Sequence, residues 1–173
     1  MTQNLYSKVY DFNNIRISFK HTQKGVKKFK SDAIMFDMCR ERNLLKLWRE
    51  LKSKEYRVGE YLRFKVYEPK ERMVSAPRVR DKIVQFAVHN ILQEVYAPVF
   101  IKTSFACLKD KGTHKAIENV QHDMRLCKWK HGSGWILKID VKKFFYSIDR
   151  DILKKLLRKK IDELDMIWIL DLI

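Results

Sequence analysis

The chain has 173 residues, with 37 Lys and Arg against 21 Asp and Glu and a formal charge of +16. That length suffices for one compact domain with a sizeable core, and 46% hydrophobic with 34% charged residues is the composition of a soluble globular protein. No apolar run approaches the roughly 20 residues that span a bilayer, and Met1 to Lys8 lack the basic-then-apolar pattern of a secretion signal. Membrane and secreted classes are therefore set aside, and a cytoplasmic location is expected. The cationic excess favours a polyanion partner, because each neutralised phosphate releases condensed counterions. Cys39, Cys107 and Cys127 are odd in number and widely separated, so reduced and mostly buried thiols are expected.

The first thirty residues mix aromatics (Tyr6, Tyr10, Phe12, Phe19) with Lys20, Lys24, Lys27, Lys28 and Lys30, and read as a short helix followed by a basic loop around Gly25. Ser31 or Asp32 is the expected N-cap of the next helix. Behind it Ile34, Met35, Met38, Leu44, Leu45, Leu47, Trp48 and Leu51 recur at helical spacing. From Tyr61 the period changes to two: Leu62, Phe64 and Val66 share one face, and Tyr61, Arg63, Lys65 and Tyr67 the other. Pro69, Lys70 and Glu71 make a tight turn, Arg72 to Ser75 a return strand, and Pro77 stops it. Asp81 is the expected cap of a helix whose Val84, Ala87, Val88, Ile91, Leu92 and Val95 are apolar and which ends before Pro98. Gly112 and Thr113 open another, with Ala116, Ile117, Val120 and Met124 on one face. Residues 135–140 read as a buried strand ending on Asp140. Asp149 then caps a helix that buries Ile152, Leu153, Leu156, Leu157 and Ile161 and turns Lys154, Lys155, Arg158 and Lys159 outward. The final run, Met166 to Ile173, is apolar and has no polar tail, which implies an interrupted domain.

Three segments carry candidate chemistry. A ribbon with Lys70 and Arg72 at its tip makes a cationic clamp, since Arg holds phosphate oxygens bidentately and Lys acts as a point charge. The turn at Lys111, Gly112 and Thr113 offers backbone N–H groups to an anion at a helix start. Asp140 stands where a strand end can bring a carboxylate to a metal and a polyphosphate. Each has a plainer reading on its residues alone: an exposed charged hairpin, an ordinary capped helix and a turn residue. His114 with His122, and Cys127 with His131, lack a second pair at ligand spacing and read as structural or surface residues.

The order and spacing of these segments settle between the readings. A strand-end Asp140, then Phe144, Phe145, Ser147, Ile148 and Asp149, resembles the first palm motif of reverse transcriptases, in particular bacterial enzymes of the group II intron, retron and diversity-generating retroelement type. Lys70, Arg72, Pro77, Asp81 and Gln85 resemble the fingers motifs of the same enzymes. The segment from Ser104 to Cys107, with Lys111 to His114 and Ala116, leans towards the diversity-generating group. The turn between Lys70 and Arg72 is shorter than in group II intron enzymes, which usually carry a Gly-containing loop there.

The resemblance implies an α+β fragment of a right-hand polymerase, with mostly helical fingers, a β-hairpin and the first palm strand and helix. Residues 1–55 form the N-terminal helical region, 56–134 the fingers and 135–173 the beginning of the palm, ending before an aromatic-x-Asp-Asp motif. It also implies an RNA-directed DNA polymerase that transfers nucleotides by a two-Mg²⁺ mechanism. Lys70 and Arg72 would contact the triphosphate, Asp140 and the carbonyl of Val141 would hold metal, and Phe145 would pack on the sugar and exclude a ribose hydroxyl. Residues 77–85, including Arg78, Arg80 and Gln85, would lie against the template, and Lys111 and Lys115 are further nucleic-acid contacts. The implied partners are an RNA template, a DNA or RNA primer, deoxynucleoside triphosphates, and an accessory protein or structured RNA. With one candidate carboxylate, the chain by itself is expected to be inactive. The competing reading is a non-catalytic nucleic-acid-binding module of the same fold. A template-independent or defence-type polymerase of the superfamily is a third.

Overall fold

The structure, a computed structural model, describes residues 4–24, 31–67, 70–108 and 110–173. The basic loop expected around Gly25 and the Pro69 position of the turn lie outside them. The elements in order are α1 (Leu5–Val9), α2 (Phe12–Thr22), α3 (Ser31–Met38), α4 (Arg40–Lys52), β1 (Leu62–Val66), β2 (Arg72–Ala76) and α5 (Val79–Tyr96). After a 3₁₀ turn at Ala97–Val99 come α6 (Thr113–His131), α7 (Phe144–Ser147), α8 (Arg150–Arg158) and α9 (Leu164–Leu172). This is an α+β chain, and it forms two compact units. One comprises Met1–Glu94 with Asp151–Ile173; the other is Val95–Arg150.

The first unit holds the core. On α4, Leu44, Leu47 and Leu51 fall on one stripe and are buried, while Leu45 and Arg49 on the other side are exposed. On α5, Ile83, Val84, Ala87, Val88 and Ile91 are buried, and Leu92 and Val95 are half-buried. Val9, Ile15 and Phe19 from α1 and α2 and Ile161, Met166 and Ile169 from the C-terminal segment are buried with them. Each of the buried Val, Leu, Ile, Phe and Met side chains contributes about 1.5–3 kcal/mol by leaving water.

Polar side chains lock these helices in register. Asn14 Nδ2 donates to the carbonyls of Lys8, Val9 and Ala87, and its Oδ1 accepts from Asn90 at 2.8 Å, so α1, α2 and α5 share one side chain. The buried Tyr6 hydroxyl donates to the Leu51 carbonyl at 2.6 Å. Burial, with Asp165 and Tyr10 nearby, raises that phenol far above its usual range. Asp171 bridges Lys154 and Arg158, which holds α8 to α9 and its own carboxyl below the ordinary value.

Glu163 closes the chain on its beginning: its carboxylate accepts from the Leu5 N–H at 2.6 Å and from the Tyr6 N–H at 3.2 Å. These amides open α1, where no intrahelical acceptor exists. Glu163→Ala is expected to cost about 1–2 kcal/mol, the worth of charge-assisted bonds discounted for partial exposure. Urea unfolding of the purified chain checks this, and an unchanged midpoint would mean water replaces the carboxylate without loss.

Several expectations are corrected. Residues 135–140 form no strand. The segment 133–141 is irregular, and Trp135, Ile136, Leu137 and Ile139 are exposed. A strand exists only by pairing its N–H and C=O groups with a neighbour, and the sheet among the described residues is the β1–β2 pair alone. An apolar run with hydrophobic residues on both faces is the pattern of a strand covered on both sides, and nothing described here covers it. For the same reason Ile152, Leu153 and Leu156 of α8 are exposed, Leu157 is half-buried, and of the expected set only Ile161 is buried.

Asp81 does not cap α5, which starts two residues earlier. Asp32 does so from a distance, accepting the Val79 N–H at 2.6 Å. The thiols of Cys39 and Cys107 are exposed and that of Cys127 is half-buried. Cys39 lies in the break between α3 and α4, and Cys107 has a left-handed backbone (φ 58°) in a loop, where neither can reach the core.

Candidate nucleotide and nucleic-acid site

The expected ribbon is present. β1 and β2 pair antiparallel, Leu62 opposite Ala76 and Val66 opposite Arg72, so Arg72 stands at the last rung before the turn. Most of both strands is exposed; only Val66, Val74 and Ala76 are half-buried. Lys65 pairs with Glu71 at 2.6 Å across the ribbon end. Lys70 and Arg72 are exposed, and neither pairs with a carboxylate among the described residues. Two cations at the tip of a solvated ribbon can close on an anion that arrives there.

The helix behind the ribbon divides the proposed template contacts. Arg78 is exposed. Arg80 is engaged within the protein: its guanidinium pairs with Glu50 and with Asp81 at 3.1 Å, donates to the Arg57 carbonyl at 2.9 Å, and lies 4.7 Å above the Tyr56 ring. Its fork is thus spent on anchoring α5 to α4 and to the chain before β1. Gln85 donates to the Tyr61 hydroxyl at 3.2 Å, which ties α5 to the start of β1.

In the second unit, Lys111 is drawn into its own loop. Its ammonium donates to the Lys102 carbonyl at 2.7 Å and sits 5.5 Å from the Phe105 ring centroid. Lys115, on the first turn of α6, is exposed. Gly132 ends α6 at φ 72°, a left-handed conformation glycine adopts without strain, and its N–H bonds the Lys128 carbonyl at 2.9 Å. Beyond it a groove of about 780 Å³ opens between α6 and residues 132–137, lined by Val120, Met124, Cys127 and Trp135 among others.

Asp140 and Val141 follow on the irregular segment, both exposed. Lys143 then takes a left-handed conformation (φ 54°) and opens α7. Phe145 on that turn is 85% exposed and meets Phe144 edge-on at 5.4 Å. No group of three or more His, Cys, Asp or Glu that could hold a metal forms among the described residues. Asp140 and the Val141 carbonyl are hard oxygen donors of the kind Mg²⁺ takes, but as one carboxylate they do not complete a centre.

Sequence reasoning assigned Asp81 and Asp32 only local capping roles and passed over Glu163: Asp81 sits 1% exposed between Tyr56, Gly59 and Arg80, Asp32 caps the start of α5, and Glu163 the start of α1. Asp81 left one legible signal. It lies one turn before Val84 and two before Val88 on the apolar stripe of α5, where an acid needs a buried partner.

The family profile of the reverse transcriptases (RNA-dependent DNA polymerases) matches residues 65–171, from β1 into α9. The chain therefore belongs to the reverse transcriptase family. Among curated proteins it is similar to the group II intron-encoded protein LtrA of Lactococcus lactis subsp. cremoris, with 30% identity over 97 residues covering 56% of this chain and 15% of that protein. It is also similar to protein YkfC of Escherichia coli, 26% identical over 111 residues covering 60% of this chain and 29% of that protein. A third relative is an uncharacterized 91 kDa protein in the cob intron of Schizosaccharomyces pombe, 28% identical over 120 residues covering 68% of this chain and 14% of that protein. The chain thus spans less than a third of the length of each of these relatives. Reverse transcriptases generally use divalent metals, and no helix among the described residues is long and apolar enough to cross a membrane.

Proposed function

We propose that this chain is the fingers and the opening of the palm of an RNA-directed DNA polymerase, with 1–55 as an N-terminal helical region, 56–134 as fingers and 135–173 as the start of the palm. The observation that carries the reading is the coincidence of the family match, residues 65–171, with the segment bearing the ribbon cations and Asp140. In this reading Lys70 and Arg72 hold the triphosphate of the incoming deoxynucleotide, and Phe145 packs on its sugar. Asp140 and the Val141 carbonyl are this chain's share of the donors for two Mg²⁺ ions, which when bound activate the primer hydroxyl and neutralise the triphosphate.

The nucleic-acid contacts narrow to groups whose charge faces solvent. Arg78 and Lys115 are exposed, whereas Arg80, Gln85 and Lys111 have partners within the protein. The proposed partners are an RNA template with a DNA or RNA primer, with an accessory protein or structured RNA assisting. The proposed location is the cytoplasm.

The test is a salt titration of RNA binding beside a primer-extension assay, both on the purified 173-residue chain. Binding is expected, weak and steeply salt-dependent, with a logarithmic slope of about −0.7 per neutralised phosphate on a single strand. No extension is expected at saturating Mg²⁺, because one carboxylate leaves the centre incomplete. Absent or salt-independent binding would assign the +16 charge to solubility alone. Extension by this chain would show that its catalytic carboxylates lie elsewhere than at Asp140.

A further inference from the structure

Most of the ribbon is exposed, so its direction is set chiefly where its two strands leave the body. The chain enters β1 through residues 56–61 and leaves β2 through 77–79 into α5. Four ties join the entering segment to that helix. The Tyr56 hydroxyl donates to Asp81 Oδ1 at 2.7 Å, and the Gly59 N–H donates to Asp81 Oδ2 at 3.1 Å. Arg80 donates to the Arg57 carbonyl at 2.9 Å, and Gln85 to the Tyr61 hydroxyl at 3.2 Å. Asp81 is central, because its two oxygens take the buried Tyr56 hydroxyl and the Gly59 N–H, and its charge faces the Arg80 guanidinium at 3.1 Å. Asp32 fixes the other exit through the Val79 N–H.

Gly59 is part of the same joint. A Cβ there would lie 3.0 Å from Asp81 Oδ2, so any larger residue pushes the carboxylate by a few tenths of an ångström. A buried carboxylate with three protein donors is a rigid part: rotating it leaves the buried Tyr56 hydroxyl without an acceptor and breaks the Gly59 and Arg80 contacts at once.

We propose that Asp81 is the positioning residue of the ribbon, locking the chain that enters β1 to the helix that leaves β2 so that Lys70 and Arg72 are presented in one fixed direction. The consequence for nucleotide capture rests on the clamp reading above. Clamp geometry matters to that extent because a misplacement of about 1 Å at a site can cost as much as about 10²-fold.

Two variants and two readouts test it. Asp81→Asn keeps the volume and removes the charge; Gly59→Ala keeps Asp81 and displaces it. The first readout needs no activity: spin-label distances between Met73→Cys on the ribbon and His89→Cys on α5, in the chain with Cys39, Cys107 and Cys127 changed to Ser. A single narrow distribution is expected for the parent sequence and a clearly broadened or shifted one for both variants. The second readout is deoxynucleotide KM against kcat in the parent polymerase, where Asp81→Asn is expected to raise KM roughly 10-fold with kcat near the unsubstituted value.

An unchanged distance distribution in Gly59→Ala and Asp81→Asn overturns the proposal, whatever the polymerase assay gives. An unchanged KM in Asp81→Asn, when Arg72→Ala raises it, overturns it too. If the distances broaden while Arg72→Ala leaves KM unaltered, the joint stands and the clamp reading fails.

Discussion

Asp140→Asn in the parent polymerase is expected to abolish primer extension while leaving folding and RNA affinity at the level of the unsubstituted protein. Asp140 is exposed on an irregular segment, so the substitution removes no buried contact and no helix cap. The amide keeps the shape of the carboxylate and loses the charge that a divalent cation requires. Removal of one group that stabilises developing charge typically lowers rate by about 10²–10³-fold, and a metal-holding carboxylate belongs at or above that range. Single-turnover extension beside thermal unfolding and RNA binding checks all three statements. Near-normal extension would remove Asp140 from the site and with it the mechanism.

Arg72→Ala is expected to raise the apparent KM for deoxynucleotides more than it weakens template binding. Arg72 stands at the last rung of the ribbon, exposed and unpaired with any carboxylate among the described residues. Its fork is therefore available to phosphate oxygens, unlike that of Arg80, which is held by Glu50, Asp81 and Arg57. Charge-assisted hydrogen bonds are worth about 1.5–3 kcal/mol, which converts to a rise of roughly 10- to 150-fold. The ribbon packs little against the body, so stability should be nearly unaffected. Template affinity falling as far as nucleotide affinity would make the ribbon a nucleic-acid contact instead of a triphosphate clamp.

Local order in this chain was legible from its residues. The apolar stripe of Leu44, Leu47 and Leu51, the period-two run from Leu62 to Val66 and the stop at Pro77 depend on neighbours a few positions away, so spacing alone reports them. The motif segments, with Lys70, Arg72, Asp140 and Phe145 in order, were likewise visible, since family likeness is carried by sequence. Long-range pairing was not. That Asp32 caps a helix 47 positions later, that Glu163 caps α1 from the far end of the chain, and that Arg80 turns inward could be decided only once distant segments met.

The stretch 135–140 shows the boundary most clearly. Its residues prescribe a strand, yet the N–H and C=O groups of a strand are satisfied by a neighbour, and its apolar faces by layers above and below. Helices close their hydrogen bonds within themselves, so α6 and α8 form with their apolar faces exposed, while the run ending at Asp140 stays irregular. Sequence determined where helices and ribbon form and which side chains are offered for chemistry. Tertiary structure decided which of those side chains are consumed by the fold, because a charge or a hydrogen bond given to a distant partner is no longer available to a ligand.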